Sequence, residues 1–204
     1  EDVKKINSKI IYCSITGFGT DGPYAKRGGF DLIAQGMSGL MSITGHPDSP
    51  PAKVGVPIAD LNTGMFAMQG ILSAYIHRLK NNEGQNLEVS LLESALAYTM
   101  YESSIFFTTG RISSPDGSAH RLTAPYQAFK TKDGYINIGA ANQSNWERLL
   151  TVLNLENLKD DPEFIDSKSR QINRKKLENI LEVIFITKSS KEWIGILIKN
   201  SIPS

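Results

Sequence analysis

The spacing of apolar and polar positions changes several times along the chain, and each change marks an element. Ile10, Ile11, Tyr12, Cys13 and Ile15 form a β-branched and aromatic run that reads as a buried strand. Glycines at 17, 19 and 22, closed by Pro23, end that run in a loop. Residues 31–40 read as a short, glycine-interrupted helix, and the four prolines between 45 and 57 make that stretch an irregular surface loop. Leu61, Met65, Met68, Leu72, Tyr75, Ile76 and Leu79 then fall on one helical stripe, the clearest in the sequence. Asp60 stands before it as an N-cap, and Asn82 and Gly84 close its far end. Gly64 and Gly70 each cost this helix about 1 kcal/mol relative to alanine, a cost tolerated where something packs close to the backbone.

Leu87, Val89 and Leu91 alternate as a second strand, followed by a helix through Tyr101. Strand, helix and strand in that order imply α/β layering. Thr109 to Thr123 is rich in Gly, Ser and Thr and reads as a linker. Beyond it, residues 126–131 and 135–138 read as strands joined through Asp133-Gly134, a hairpin turn pair. Helical patterns follow at 144–153, 170–185 and 190–199. The organisation expected is therefore a large domain over 1–108, a linker over 109–123 and a small α+β domain over 124–204.

Composition narrows the function classes. The 204 residues are 40% hydrophobic and 21% charged, which excludes a disordered chain. Twenty-two Lys and Arg against 21 Asp and Glu leave no basic field for nucleic acid or an anionic membrane. No apolar run is long enough to span a bilayer. Cys13 is the single cysteine, so neither an internal disulfide framework nor a cysteine-rich zinc module is available. The chain opens at Glu1 without methionine and reads as a piece of a larger protein.

Gly17, Gly19 and Gly22 fit G-x-G-x-x-G after a strand, but that fingerprint needs a helix opening at the third glycine. Pro23 to Gly29 has no amphipathic stripe, so the match reads as a loop that needs positive φ angles. His46, His77 and His120 lack metal-ligand neighbours, and no metal site is expected. Cys13 reads as a small buried hydrophobe. The basic run 170–176 reads as a solvated face. Two roles stay open for Asp60. It is an N-cap by spacing; alternatively its carboxylate, the amides of residues 61–63 and the space beside Gly64 could attack a carbonyl and hold the oxyanion.

Six blocks in order carry a resemblance. They are I-I-Y-C-S-I-T-G-F-G-T-D-G-P-Y (10–24), R-G-G-F-D (27–31), Q-G-M-S-G-L-M-S-I-T-G (35–45), V-G-V-P-I-A-D-L-N-T-G-M (54–65), E-G-Q-N-L-E-V-S-L-L-E-S (83–94) and P-Y-Q-A-F-K-T-K-D-G-Y-I-N-I-G-A (125–140). Together they resemble the family III CoA-transferases, a group that includes α-methylacyl-CoA racemases. The wording of the last block is similar to the succinyl-CoA–dicarboxylate branch, including glutarate-type transferases.

The resemblance implies the central part of a Rossmann-like large domain followed by a small α+β domain, within an interlocked homodimer. It implies Asp60 as a nucleophile that passes through an acyl anhydride and an aspartyl-CoA thioester. Asp31 is implied beside the CoA arm, and Lys26, Arg27, Gly17 and Gly19 are candidates for holding CoA. Coenzyme A enters as a thioester substrate, small carboxylic acids accept it, and no tightly bound cofactor is implied. The racemase branch has a histidine where this chain has Phe30 and a glutamate where it has Asn142, and neither replacement can shuttle a proton. An acyl-CoA racemase and a non-catalytic nucleotide-binding module using the glycine loop are the alternatives. A bacterial cytoplasm is the expected setting, with an organelle as the other.

Overall fold

A computed structural model describes residues 2–204, which form two compact units, one ending at Pro115 and the other running Asp116–Ser204. The boundary lies within the Gly/Ser/Thr-rich stretch 109–123. Asp116 is tied to the second unit by ion pairs to Arg121 (3.2 Å) and Arg174 (3.0 Å).

The first unit contains α1 (Asp2–Ile6), β1 (Tyr12–Thr16), α2 (Asp31–Met37), α3 (Leu40–Ile43), α4 (Ile58–Asn81), β2 (Asn86–Ser90) and α5 (Leu91–Leu96). A 3₁₀ turn, Ala97–Thr99, leads into α6 (Met100–Thr109). β1 and β2 pair in parallel from Tyr12↔Asn86 to Thr16↔Ser90, and α2, α3 and α4 make the crossover that a parallel pair requires. The helix expected over 31–40 breaks at Gly39, whose φ of 87° only glycine adopts without strain.

Two expectations are corrected here. β1 is not buried: Tyr12 and Ile15 are exposed and Cys13 is only partly covered, because among the described residues β1 has β2 as its one strand partner. Helix α4 begins at Ile58, so Asp60 is not its N-cap; Pro57 occupies that position, with no side-chain cap of its own. The described residues leave the apolar stripe of α4 uncovered, with Leu61 55%, Leu72 54% and Leu79 69% exposed. What α4 buries is a face of small residues, Ala59, Thr63, Ala67 and Ala74, with Gly70 on the Leu87 side chain. Small side chains let the helix axis approach its neighbours closely. The core of this unit is accordingly slight: Ala34, Leu40, Ala59 and Ala95, with Ile43, Ile58 and Leu91 against them.

The second unit contains β3 (Tyr126–Lys130), β4 (Tyr135–Gly139), α7 (Gln143–Leu153), a 3₁₀ turn Glu156–Leu158, α8 (Ser167–Ile172), α9 (Arg174–Phe185) and α10 (Ser190–Lys199). The strands form an antiparallel hairpin closed at Lys130↔Tyr135, with residues 131–134 as its loop. Alternate residues Phe129, Ile136 and Ile138 face a core built with Trp146, Leu149, Leu150, Leu177, Leu181, Phe185, Trp193 and Leu197. The helices start on side-chain caps: Asn142 accepts from the Asn145 N–H, Asp166 from that of Ser169, and Ser189 forms a capping box with Glu192.

Arg170 corrects another expectation. It is fully buried rather than part of a solvated face, and its guanidinium donates to the carbonyls of Ala124 and Phe164 and to Gln143. Burial pushes its pKa down from the usual arginine value. Lys175 and Lys176 keep to the surface, paired with Glu178 and Glu163. Among the described residues no helix is long and apolar enough to cross a membrane, and no group of three or more His, Cys, Asp or Glu could hold a metal ion.

Candidate active site

The glycine loop leaves β1 at Thr16, whose hydroxyl accepts the Gly19 N–H at 2.8 Å. Gly19 and Gly22 take φ angles of 95° and 86°, and no helix opens after them, so this is a positive-φ loop and not a dinucleotide fingerprint. A Cβ on Gly17 would stand 2.7 Å from the Gly29 Cα, so the two backbones touch and both positions require glycine. Glu88 on β2 secures the loop from outside. One of its oxygens accepts the Thr20 N–H, and the other accepts the Thr20 hydroxyl at 2.6 Å. Phe18 and Tyr24 pack with ring centroids 5.7 Å apart, and the Arg27 guanidinium lies over both rings at 5.6 and 5.4 Å. Lys26 is exposed, and neither it nor Arg27 pairs with Asp31 or Asp60.

Asp60 occupies the third position of α4 and is exposed. Its carboxylate makes no hydrogen bond or ion pair with the described residues. The amides beside it are already used: the Leu61 N–H donates to the Pro57 carbonyl at 3.0 Å, and the Ala59 N–H donates to Asp31 Oδ1 at 2.9 Å. The expected row of free amides at 61–63 is therefore not there, because the helix begins earlier than its stripe. Open space does exist beside the first turn, since a Cβ on Gly64 would meet nothing within 4 Å. Asn62 donates to the Ser94 carbonyl at 2.6 Å and fixes this turn against α5.

The structure thus brings Asp31 and the Asp60 turn together and gives Asp31 a definite task. A carboxylate from α2 caps α4, a helix that starts 27 residues later and has only proline at its own N-cap. Two participants escaped the reading of motifs. Gln35, fully buried, donates to Asp31 Oδ2 at 2.7 Å and accepts the Val54 N–H at 2.8 Å. Its four-residue spacing from Asp31 was the available signal. Glu88 was marked by being the one acid between Leu87 and Val89. Phe30 is exposed at the N-cap of α2, and the Asn142 side chain is committed to capping α7, so neither carries acid–base chemistry.

An exposed, unpaired carboxylate at the start of a helix in a parallel βαβ crossover defines a candidate nucleophile on an α/β scaffold. The model for CoA-transferase family III matches residues 1–204, and the chain belongs to that family. It is 39% identical over 203 residues to the Mus musculus succinyl-CoA:glutarate CoA-transferase, covering 100% of this chain and 47% of that one. It is 34% identical over 204 residues to the succinate–glutarate CoA-transferase of Agrobacterium fabrum, covering 100% of this chain and 51% of that one. Among solved structures, a CAIB/BAIF family protein from Brucella suis superposes with a TM-score of 0.81 at 36% identity, over 98% of this chain and 53% of that one. The chain spans about half the length of the curated relatives it matches.

Proposed function

We propose that the protein carrying this chain transfers coenzyme A from an acyl-CoA thioester to a free carboxylate, with Asp60 as the nucleophile. The observation that carries the reading is the Asp60 carboxylate itself, exposed and unpaired where the turn around it is pinned by Asp31 and Asn62. Membership of the family supports the reaction class.

The chemistry suits a carboxylate. An Asp60 oxygen attacks the thioester carbonyl carbon, the C–S bond breaks, and CoA leaves as thiolate from an acyl–aspartyl anhydride. The thiolate attacks the aspartyl carbonyl, which gives an aspartyl-CoA thioester and frees the donor acid as its carboxylate. An acceptor carboxylate attacks that thioester and again expels thiolate. The thiolate attacks the acceptor's acyl carbon, the new thioester departs, and Asp60 is regenerated. One negative charge moves through every step and no proton is transferred, so a carboxylate nucleophile needs no general base. Each intermediate is water-sensitive, and the released thiolate must stay close, so the assembled pocket has to exclude solvent.

Gly17 and Gly19 present backbone to the CoA arm, Lys26 and Arg27 lie on the same loop to meet its phosphates, and Asp31 flanks the reacting turn. A succinyl-type donor and a short dicarboxylate acceptor such as glutarate are the substrates we favour, on the strength of the relatives' names. The large domain would be Rossmann-like and the whole protein an interlocked homodimer, located in the cytoplasm. The test is turnover of succinyl-CoA with glutarate by the whole protein. Asp60→Ala should lower kcat by about 10⁴-fold or more. Turnover within tenfold of wild type in that variant would refute the assignment.

A further inference from the structure

We propose that Gln35 and Asp31 form a hydrogen-bond relay that positions the Asp60 turn, which makes both of them positioning residues for the transfer; this rests on Asp60 being the nucleophile. The relay can be followed atom by atom. The Val54 N–H donates to Gln35 Oε1 at 2.8 Å, Gln35 Nε2 donates to Asp31 Oδ2 at 2.7 Å, and Asp31 Oδ1 accepts the Ala59 N–H at 2.9 Å. Gln35 and Asp31 are four residues apart and share one face of α2. One turn of α2 therefore holds both the loop before α4 and the amide of the residue immediately before Asp60.

Polarity makes the relay directional. A primary amide has one accepting end and one donating end. With Oε1 on Val54, Gln35 can offer Asp31 only a donor, so position 31 must accept there. Asp31 must accept a second time from Ala59, because Pro57 has no side chain that could. Gln35 and Ala59 are both fully buried, so no water is at hand to replace a lost partner. A polarity error anywhere along this line would free the first turn of α4, and a misplacement of about 1 Å at a reacting group can cost about 100-fold in rate.

This logic yields a swap. Asp31→Asn alone turns a donor towards Gln35 Nε2, donor against donor. Gln35→Glu alone sets two carboxylates against each other. Combined, the two substitutions restore every bond: the new carboxylate at 35 accepts from Val54 and from the new amide at 31, whose oxygen accepts from Ala59. The charge has moved by one side chain and the geometry is kept.

The experiment compares the whole protein with both single variants and the double variant in steady-state turnover and in single-turnover acylation of Asp60. Hydrogen exchange at the Ala59 amide provides the structural readout. Each single variant should lose about 30- to 100-fold in kcat with KM for the acyl-CoA within about twofold, and should exchange Ala59 faster. The double variant should return to within about threefold of wild type in kcat and in exchange. Singles that retain wild-type kcat would overturn the relay, and so would a double variant that is unfolded, or folded and as slow as the singles. The last result would mean that Asp31 acts through its own charge on the substrate. If wild-type protein is never acylated at Asp60, the proposed function itself fails, and the exchange data still report whether the relay exists.

Discussion

The two units of the chain handle their strongest sequence pattern in opposite ways. In the second unit, the apolar stripes of α7, α9 and α10 all close onto one core, where Phe185 lies 5.1 Å from Phe129 and 5.2 Å from Trp193, ring to ring. In the first unit, α4 turns its large apolar residues to the surface and buries alanines. Among the described residues, what covers α4 lies on its small-residue side. Small side chains let the backbones come close there, with Gly70 against Leu87 of β2 and Asn62 tied to the Ser94 carbonyl of α5. The second unit rests on a closed apolar core. The first holds a carboxylate whose surroundings are fixed by hydrogen bonds more than by apolar bulk.

The contrast can be broken by substitution, and the largest effect should fall in the second unit. Trp193 is buried and its indole N–H donates to the Phe185 carbonyl at 2.7 Å. Trp193→Ala should cost this unit about 4 kcal/mol, seen as a fall in its urea midpoint. A cost under about 1 kcal/mol would mean that the core is not the closed body described.

Helix α4 sharpens the comparison inside one element. Ala74→Leu overpacks the covered face and should cost about 2 kcal/mol. Leu72→Ala, on the outward face, should change the stability of the isolated 204-residue chain by no more than about 0.5 kcal/mol. Denaturant titration of the two variants checks both, and a reversed order would put the burial of α4 on the wrong side.

The smallest effect is acid sensitivity of the second unit. Asp133 is held below the usual carboxylate range chiefly by the Ser190 N–H, Asp166 by the Ser169 N–H, and Glu192 by the Ser189 hydroxyl. Because the folded pKa values are depressed, this stabilisation is complete above the unfolded values near pH 4. It is lost as pH falls through the lower, folded ones. The urea midpoint of this unit should start to fall near pH 4, and Asp133→Asn with Asp166→Asn should flatten that fall. An unchanged acid limb in the double variant would remove these carboxylates from the account.

Much of the second unit could be read from local pattern: the hairpin through Asp133-Gly134 and the helices over 144–153 and 190–199 stand close to where periodicity puts them. The helix expected over 170–185 does not, since it starts at Ser167 on an Asp166 cap and breaks at Asn173. The first unit was legible only in part. β1, β2 and the existence of α4 follow from periodicity, but the start of α4 does not, since its cap comes from Asp31, far back along the chain. Asp60 looked like a cap because proline hid the true beginning. Gly17 and Gly29 need each other as glycines across twelve residues, and no single-window pattern contains that fact. Arg170 read as surface because charge is the default reason for an arginine, whereas here it ties Ala124, Gln143 and Phe164 together.

The central claim is that Asp60 becomes acylated, and trapping tests it most directly. Whole protein mixed with succinyl-CoA, quenched with hydroxylamine and digested should carry a hydroxamate on the peptide containing Asp60, and adding acceptor acid before the quench should discharge it. A hydroxamate on any other residue, or none while turnover proceeds, would contradict the account.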